Sequence, residues 1–213
     1  MKVNYITHLL CISMLTLSGC DDPKKATTSN FRVAAQRYLD TVYPSCYIKA
    51  NFPYVIDSNS FYIMPEILNA MVGKGLLTRK ELLRKHINDT LGVKVQDYVV
   101  RSYELTEEGR KYYKRNVSTN IQGDELGAFC FGRATVKEIN SFTELSDVMG
   151  YKASMVTFTY KVSEIPGWVK SPEILNSNIQ IKKEVYSEHD GIKISNFFLL
   201  TNKGWVHEQL VGK

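Results

Sequence analysis

The stretch Lys152-Ala153-Ser154-Met155-Val156-Thr157-Phe158-Thr159-Tyr160-Lys161-Val162 alternates with a period of two. Ser154, Val156, Phe158, Tyr160 and Val162 fall on one face, and Ala153, Met155, Thr157 and Thr159 on the other. Successive side chains of an extended chain point to opposite sides, so the pattern predicts a β-strand. The flanking sequence extends the theme. Residues 130–139 predict a strand before it, and residues 178–186 a third strand closed by Ser187-Glu188-His189-Asp190-Gly191 as a turn. Residues 192–200 and 205–210, joined across Asn202-Lys203-Gly204, predict a hairpin. Residues 129–213 are therefore expected to form an antiparallel β-meander of about five strands.

Upstream the spacing becomes helical. Phe31, Ala34, Ala35, Tyr38, Leu39 and Val42 share one face, Ser29 or Asn30 can cap the start and Pro44 stops the run, which predicts a helix over 30–43. Residues 46–48 and 53–56 are expected to be short extended pieces. Pro65 suits a first helical turn, and Ile67, Leu68, Met71 and Val72 form a stripe that ends at Gly73 and Gly75. Residues 76–90 fit either a strand or a helix. Residues 98–105, rich in Val and Tyr, predict a strand. Thr106 then caps a helix whose positive end meets Glu107 and Glu108 and which carries Tyr112 and Tyr113, fraying near Asn116. Gly, Ser, Asn and Asp in residues 117–128 suggest a joint. The expected class is α+β: an N-terminal helical part with a wing-like hairpin over 30–116, and the antiparallel sheet over 129–213.

Composition narrows the function classes. The 213 residues carry 27 Lys and Arg against 22 Asp and Glu, a formal charge of +5 with the signs interspersed. A nucleic-acid footprint requires basic residues gathered on one face, so no nucleic-acid partner is expected. Hydrophobic residues make up 44%, with 13 Tyr among them, which suits an ordinary folded core. His8, His86, His189 and His207 are scattered without ligand spacing, so no metal is expected. Gly-x-Ser-x-Gly, His-Glu-x-x-His, Gly-x-Gly-x-x-Gly and Cys-x-x-Cys do not occur after residue 20, and neither a catalytic residue nor a cofactor is expected. Glu188-His189-Asp190 groups three titratable side chains, but neighbours in a turn diverge, and the segment reads as a hairpin tip. Lys182, Lys183 and Lys193 offer a small cationic surface or simply a solvated strand. Ile165-Pro166-Gly167-Trp168-Val169-Lys170-Ser171-Pro172 sets a Trp between two prolines. Trp168 is the candidate partner contact; alternatively it folds back as a lid on the core.

The N-terminus carries a cation at Lys2, an apolar run of about a dozen residues and then Leu17-Ser18-Gly19-Cys20. The run is too short to span a hydrocarbon core, which needs about 20 apolar residues. The tetrapeptide resembles the lipobox of bacterial lipoproteins, although small residues before a cut also suit an ordinary signal peptide. The resemblance implies that residues 1–19 are removed, that Cys20 is acylated, that residues 20–29 form a lipidated tether and that the rest faces the periplasm. Removing residues 1–19 takes away Lys2 and no acid, leaving 26 basic against 22 acidic residues. Asp21 and Asp22 resemble the signal that retains a lipoprotein in the inner membrane, with the outer membrane as the alternative. In that compartment Cys46 and Cys130, the remaining pair, read as a disulfide, with two buried thiols as the other reading.

A second resemblance covers residues 68–113, about a fifth of the chain. Lys74-Gly75-Leu76-Leu77 followed by Leu105-Thr106-Glu107-Glu108-Gly109-Arg110 resembles the second half of a winged-helix domain. The preceding helix offers only Glu66 and Asn69 as polar side chains, which suits packing better than a DNA groove. Three functions are thus expected in order: a lipoprotein acting without catalysis through an envelope protein partner; an inhibitor or immunity-type lipoprotein working through residues 165–172; and a membrane-tethered winged-helix regulator.

Overall fold

A computed structural model describes residues 22–57, 65–87, 96–148 and 150–212. In chain order its elements are α1 (Thr28–Val42), β1 (Ser45–Lys49), β2 (Tyr54–Asp57), α2 (Pro65–Gly73), β3 (Leu77–Ile87), β4 (Gln96–Leu105), α3 (Glu107–Tyr112), β5 (Tyr113–Thr119), β6 (Glu125–Phe131), β7 (Arg133–Phe142), β8 (Ser146–Val148), β9 (Tyr151–Ser163), α4 (Pro172–Leu175), α5 (Ile179–Asp190), β10 (Ile192–Thr201) and β11 (Gly204–His207). All strand pairs are antiparallel. They form three sheets, ordered β1-β6-β5, β2-β4-β3 and β11-β10-β9-β7, with β8 also pairing with β9. The class is α+β and mostly β, with the hairpin of β3 and β4 in the first half and a five-stranded sheet in the second.

Local chemistry explains most of these boundaries. The Thr27 hydroxyl accepts from Asn30 N at 3.2 Å to open α1, and Phe31, Ala34, Ala35 and Leu39 bury its inward stripe. Tyr43, which precedes Pro44, is forced into extended backbone and ends the helix. At the start of α3 the Thr106 side chain accepts from Gly109 N. The Thr106 backbone N–H also donates to Leu76 O at 3.1 Å, so the two segments that carry the winged-helix resemblance touch each other. Gly109 permits that approach: a Cβ there would lie 2.0 Å from Leu76 O.

Four readings are corrected. Residues 179–190 are helix, not strand, and residues 187–191 are its last turn and cap, not a hairpin turn. The Asn178 side chain accepts from Gln180 N at 2.8 Å, and Gly191 closes the helix with φ 69°. The buried face of α5 is Ile181, Glu184 and Ser187, two of them polar, so no apolar stripe marks it, while the alternating Ile179 and Ile181 imitate a strand. Tyr113 to Asn116 is not a fraying helix: Tyr113 opens β5 opposite Phe129. Residues 117–128 are not a loose joint but the rest of β5, a tight turn and the start of β6, with Asn120 Oδ1 accepting from Gln122 N and Asp124 N. The strand expected over 130–139 is split at Gly132, whose φ of 84° separates β6 from β7.

Two cores result, and each half of the chain supplies the other's. Phe31, Ala34, Ala35 and Leu39 of α1 pack with Val156, Phe158, Phe198 and Trp205 of the five-stranded sheet. In the opposite direction Trp168, Val169, Ile174 and Ile181 pack with Leu68, Met71, Leu76, Tyr103, Phe129 and Phe131. Trp168 is therefore not an exposed partner contact. It is 5% exposed, within a 3₁₀ turn at Gly167–Lys170, with its ring 5.7 Å from Phe131 and Tyr112 and 6.0 Å from Phe129. The hydrophobic gain from burying so large a ring outweighs any advantage of displaying it, and the lid alternative is the observed placement.

Truncating that ring leaves a large cavity. Trp168→Ala is expected to lower the unfolding free energy by about 3–5 kcal/mol in urea titration. Ile179→Ala, at a site 69% exposed on α5, is expected to stay within about 0.5 kcal/mol of wild type. Equal effects at the two positions would refute this account of the core.

Candidate functional site

The Tyr43-Pro44-Ser45-Cys46-Tyr47 segment alternates as an extended chain does, so Tyr43, Ser45 and Tyr47 share a side. That side meets Glu184 of α5. Glu184 Oε1 accepts from Tyr43 OH at 2.9 Å, Ser45 Oγ at 2.9 Å and Tyr47 OH at 3.1 Å, and Tyr43 OH lies 3.4 Å from Tyr160 OH on β9. Helix α5 is held in register by Ser187, whose Oγ accepts from Val162 N at 2.8 Å and donates to Glu184 O at 2.7 Å. Glu184 is 1% exposed, and its Oε2 has no hydrogen-bond partner among the described residues. The Gln180 amide, one turn earlier, stands close enough to favour the charged carboxylate without reaching bonding geometry to that oxygen.

Two effects oppose each other at Glu184. Burial penalises the carboxylate, while the donated hydrogen bonds favour it; burial is the larger, and the pKa is pushed above the usual carboxylate range. Tyr43, Tyr47 and Tyr160 are pushed up as well, by burial first; the hydrogen bond to Tyr160 adds to it at Tyr43 and the nearby Glu184 carboxylate at Tyr47, while the bond with Tyr43 opposes it at Tyr160. The cluster is a set of mutually hydrogen-bonded groups in which burial favours the neutral form of each. A proton on Oε2 leaves Oε1 free to accept all three donors.

On the other side of Tyr43 lies an open groove of about 740 Å³. Tyr43, Pro44, Tyr112, Phe131, Ile165 and Pro166 line it with half-buried or buried apolar surface, and the exposed Asp40, Lys111, Lys114, Arg133 and Glu164 surround them. Three elements meet there: the end of α1, the α3–β5 junction and the β6–β7 turn with residues 164–166. Glu164 adopts a left-handed backbone, φ 57°, which is uncommon for a residue with a Cβ. The lining also reaches Cys130, which is bonded to Cys46 directly across β1 and β6 with Cα atoms 4.0 Å apart. That disulfide closes a loop of 84 residues, worth about 4–5 kcal/mol on the chain-entropy account.

The remaining sequence candidates are dispersed. Cys20 and Asp21 lie outside the described residues; Asp22 is exposed, its Oδ1 accepting from Lys24 N at 3.0 Å. Lys182, Lys183 and Lys193 do come together, with Tyr186 and Asp190, around a depression of about 320 Å³, but from α5 and β10 and not from one hairpin. Glu188 pairs with Lys161 at 2.9 Å. His207 is fully buried and stacked on Tyr38 at 3.6 Å, and burial pushes its pKa below the usual imidazole value. Sequence reasoning missed Glu184 and the groove altogether. Among the described residues no group of three or more His, Cys, Asp or Glu is placed to hold a metal, and no helix is long and apolar enough to cross a membrane. Compared with known proteins, the chain matches no family model, no curated sequence and no solved structure.

A folded-state pKa raised above its unfolded value gives stability that is complete below the unfolded pKa and is lost as pH rises through the folded one. Glu184→Gln keeps the acceptor and removes the titration. Its melting temperature relative to wild type is therefore expected to rise as pH increases from about 4 toward neutrality. The contribution of His207, common to both proteins, cancels in the difference. A difference independent of pH over that range would show that burial does not raise the Glu184 pKa.

Proposed function

We propose that this chain is a lipid-anchored lipoprotein of the bacterial envelope that works by gripping another envelope protein, without catalysis. The observation that carries the reading is Leu17-Ser18-Gly19-Cys20, with its cysteine two residues ahead of Asp22, where the described part of the domain begins. Acylation of Cys20 would hold such a domain on the periplasmic face, and several acyl chains together make the attachment effectively permanent. Asp21 and Asp22 favour the inner membrane. The disulfide is consistent with an oxidising compartment.

The groove replaces Trp168 as the contact. It combines apolar floor with charges of both signs at its edge, on elements fixed from two sides by the Cys46–Cys130 bond and the Glu184 cluster. An extended segment of a partner, its backbone laid along Tyr112, Phe131 and Ile165, fits that lining. An inhibitor or immunity-type role uses the same surface, because Ile165 and Pro166 of the 165–172 segment form one wall.

Cys20→Ser is expected to abolish labelling by radioactive palmitate and to move the chain from the membrane to the periplasmic extract. A variant that stays membrane-bound would overturn the anchor. For the contact, photo-crosslinkers at Lys114 and Arg133 are expected to capture one shared partner in cells, while a crosslinker at Ile179 does not. Capture from Ile179 alone would overturn the groove.

A further inference from the structure

The residues expected to form a free tether are strapped to the domain. Asn30 Nδ2 donates to both Asp22 O and Lys25 O at 2.9 Å, and the indole Nε1 of Trp205 on β11 donates to Lys25 O at 3.0 Å. Pro23 lies against the β10–β11 turn so closely that a Cβ on Gly204, which holds φ 107°, would meet Pro23 O at 2.8 Å. Trp205 is itself buried beside Phe31, their rings 4.6 Å apart. The strap thus leads from the core of the second sheet to the surface at one defined place, the turn carrying Asn202 and Lys203.

We infer that this place, formed by Asp22 to Lys25 and the β10–β11 turn, is the face that the domain lays on an anionic lipid surface. The inference rests on the lipoprotein reading and adds an orientation to it. Cys20 is two residues from Asp22, and two extended residues reach at most about 7 Å. The backbone of Cys20 therefore lies within that distance of Asp22, which with the glyceryl linker of an acyl group leaves the domain little span to turn another side toward the membrane. The charges agree: Lys24, Lys25 and Lys203 are exposed there, against Asp22 among the described acids of the strap and turn. Each lysine near an anionic bilayer favours contact about fivefold. Helix α1 starts at the strap, so its far end, around Thr41, stands about 20 Å away along the helix axis.

The test uses the full lipidated chain, purified from membranes and reconstituted in vesicles of phosphatidylcholine with about one-third phosphatidylglycerol and a headgroup-level nitroxide quencher. The Cys46–Cys130 disulfide and acylated Cys20 leave an introduced cysteine as the reactive thiol, labelled with a small fluorophore at Asn202→Cys or Thr41→Cys. Quenching at 202 is expected to exceed that at 41 at least threefold. Reversing Lys24, Lys25 and Lys203 together to Glu should reduce quenching at 202. Equal quenching at both positions, with mass spectrometry confirming acylated Cys20, would overturn the orientation and leave the lipoprotein reading standing. An unacylated Cys20 would overturn both.

Discussion

The contact of Trp168 with Phe129 and Phe131 is the constraint on which the architecture turns. The two phenylalanines lie two residues apart on β6 and so share one face, and the indole packs edge-on against both. This docks the segment after β9 onto the first half of the chain. The burial is bought at a cost, since the indole N–H finds no partner among the described residues, a loss of about 1–3 kcal/mol that the apolar area of so large a ring offsets. With the segment fixed there, α4 and α5 follow behind it, and Ile174 and Ile181 complete the same core. Meanwhile α1 crosses the other way onto the five-stranded sheet. Neither core is complete without an element from the distant half of the sequence.

The position of α5 decides the chemistry of the seam. Once Ile181 is buried, Glu184 falls on the same helical face and has no route to water. The structure supplies hydroxyl donors to that carboxyl. Three donors on a single oxygen compensate part of the desolvation penalty but not all of it, so the pKa lies above the usual carboxylate range. This directional network holds α5 at one rotation about its axis, where an apolar contact would tolerate several. Tyr43 carries this order outward, because its hydroxyl belongs to the network and its ring to the groove.

What could be read in the sequence followed from local chemistry. Pro44, Thr106 and the alternation through Val162 identify elements by capping and periodicity, which depend on neighbours along the chain. The α+β class was legible on the same terms, whereas the disulfide of Cys46 with Cys130 was read from the compartment that the lipobox resemblance implies and from the count of cysteines left after residue 20. Residues 179–190 were not, because the inward face of α5 is made polar by Glu184 and Ser187, whose partners lie on β1 and β9. Only the end signals, Asn178 and Gly191, spoke for a helix. Trp168 was ambiguous for a related reason: a Trp between prolines looks alike on a loop and on a lid, and the aromatic pair that receives it sits some forty residues earlier. The groove assembles from three separated segments, and no local pattern announces it.

Helix α1 joins the strap to the groove. Its first turn is adjacent to the strap, and its last residues, Asp40 and Tyr43 just beyond it, border the groove. Fifteen residues of α-helix make a rod of about 22 Å. That rod does not flex independently, since Phe31, Ala34, Ala35 and Leu39 bind it to the five-stranded sheet along its length. If an acyl chain fixes the strap, the groove is presented at a set offset from the bilayer, with a height that depends only on the tilt of α1. A long flexible tether would let the domain search a large volume for its partner; a strapped one would restrict it to partners whose contact segment reaches the height that this tilt sets. With such an anchor the short strap would act as a filter on geometry before any side chain in the groove contributed to recognition.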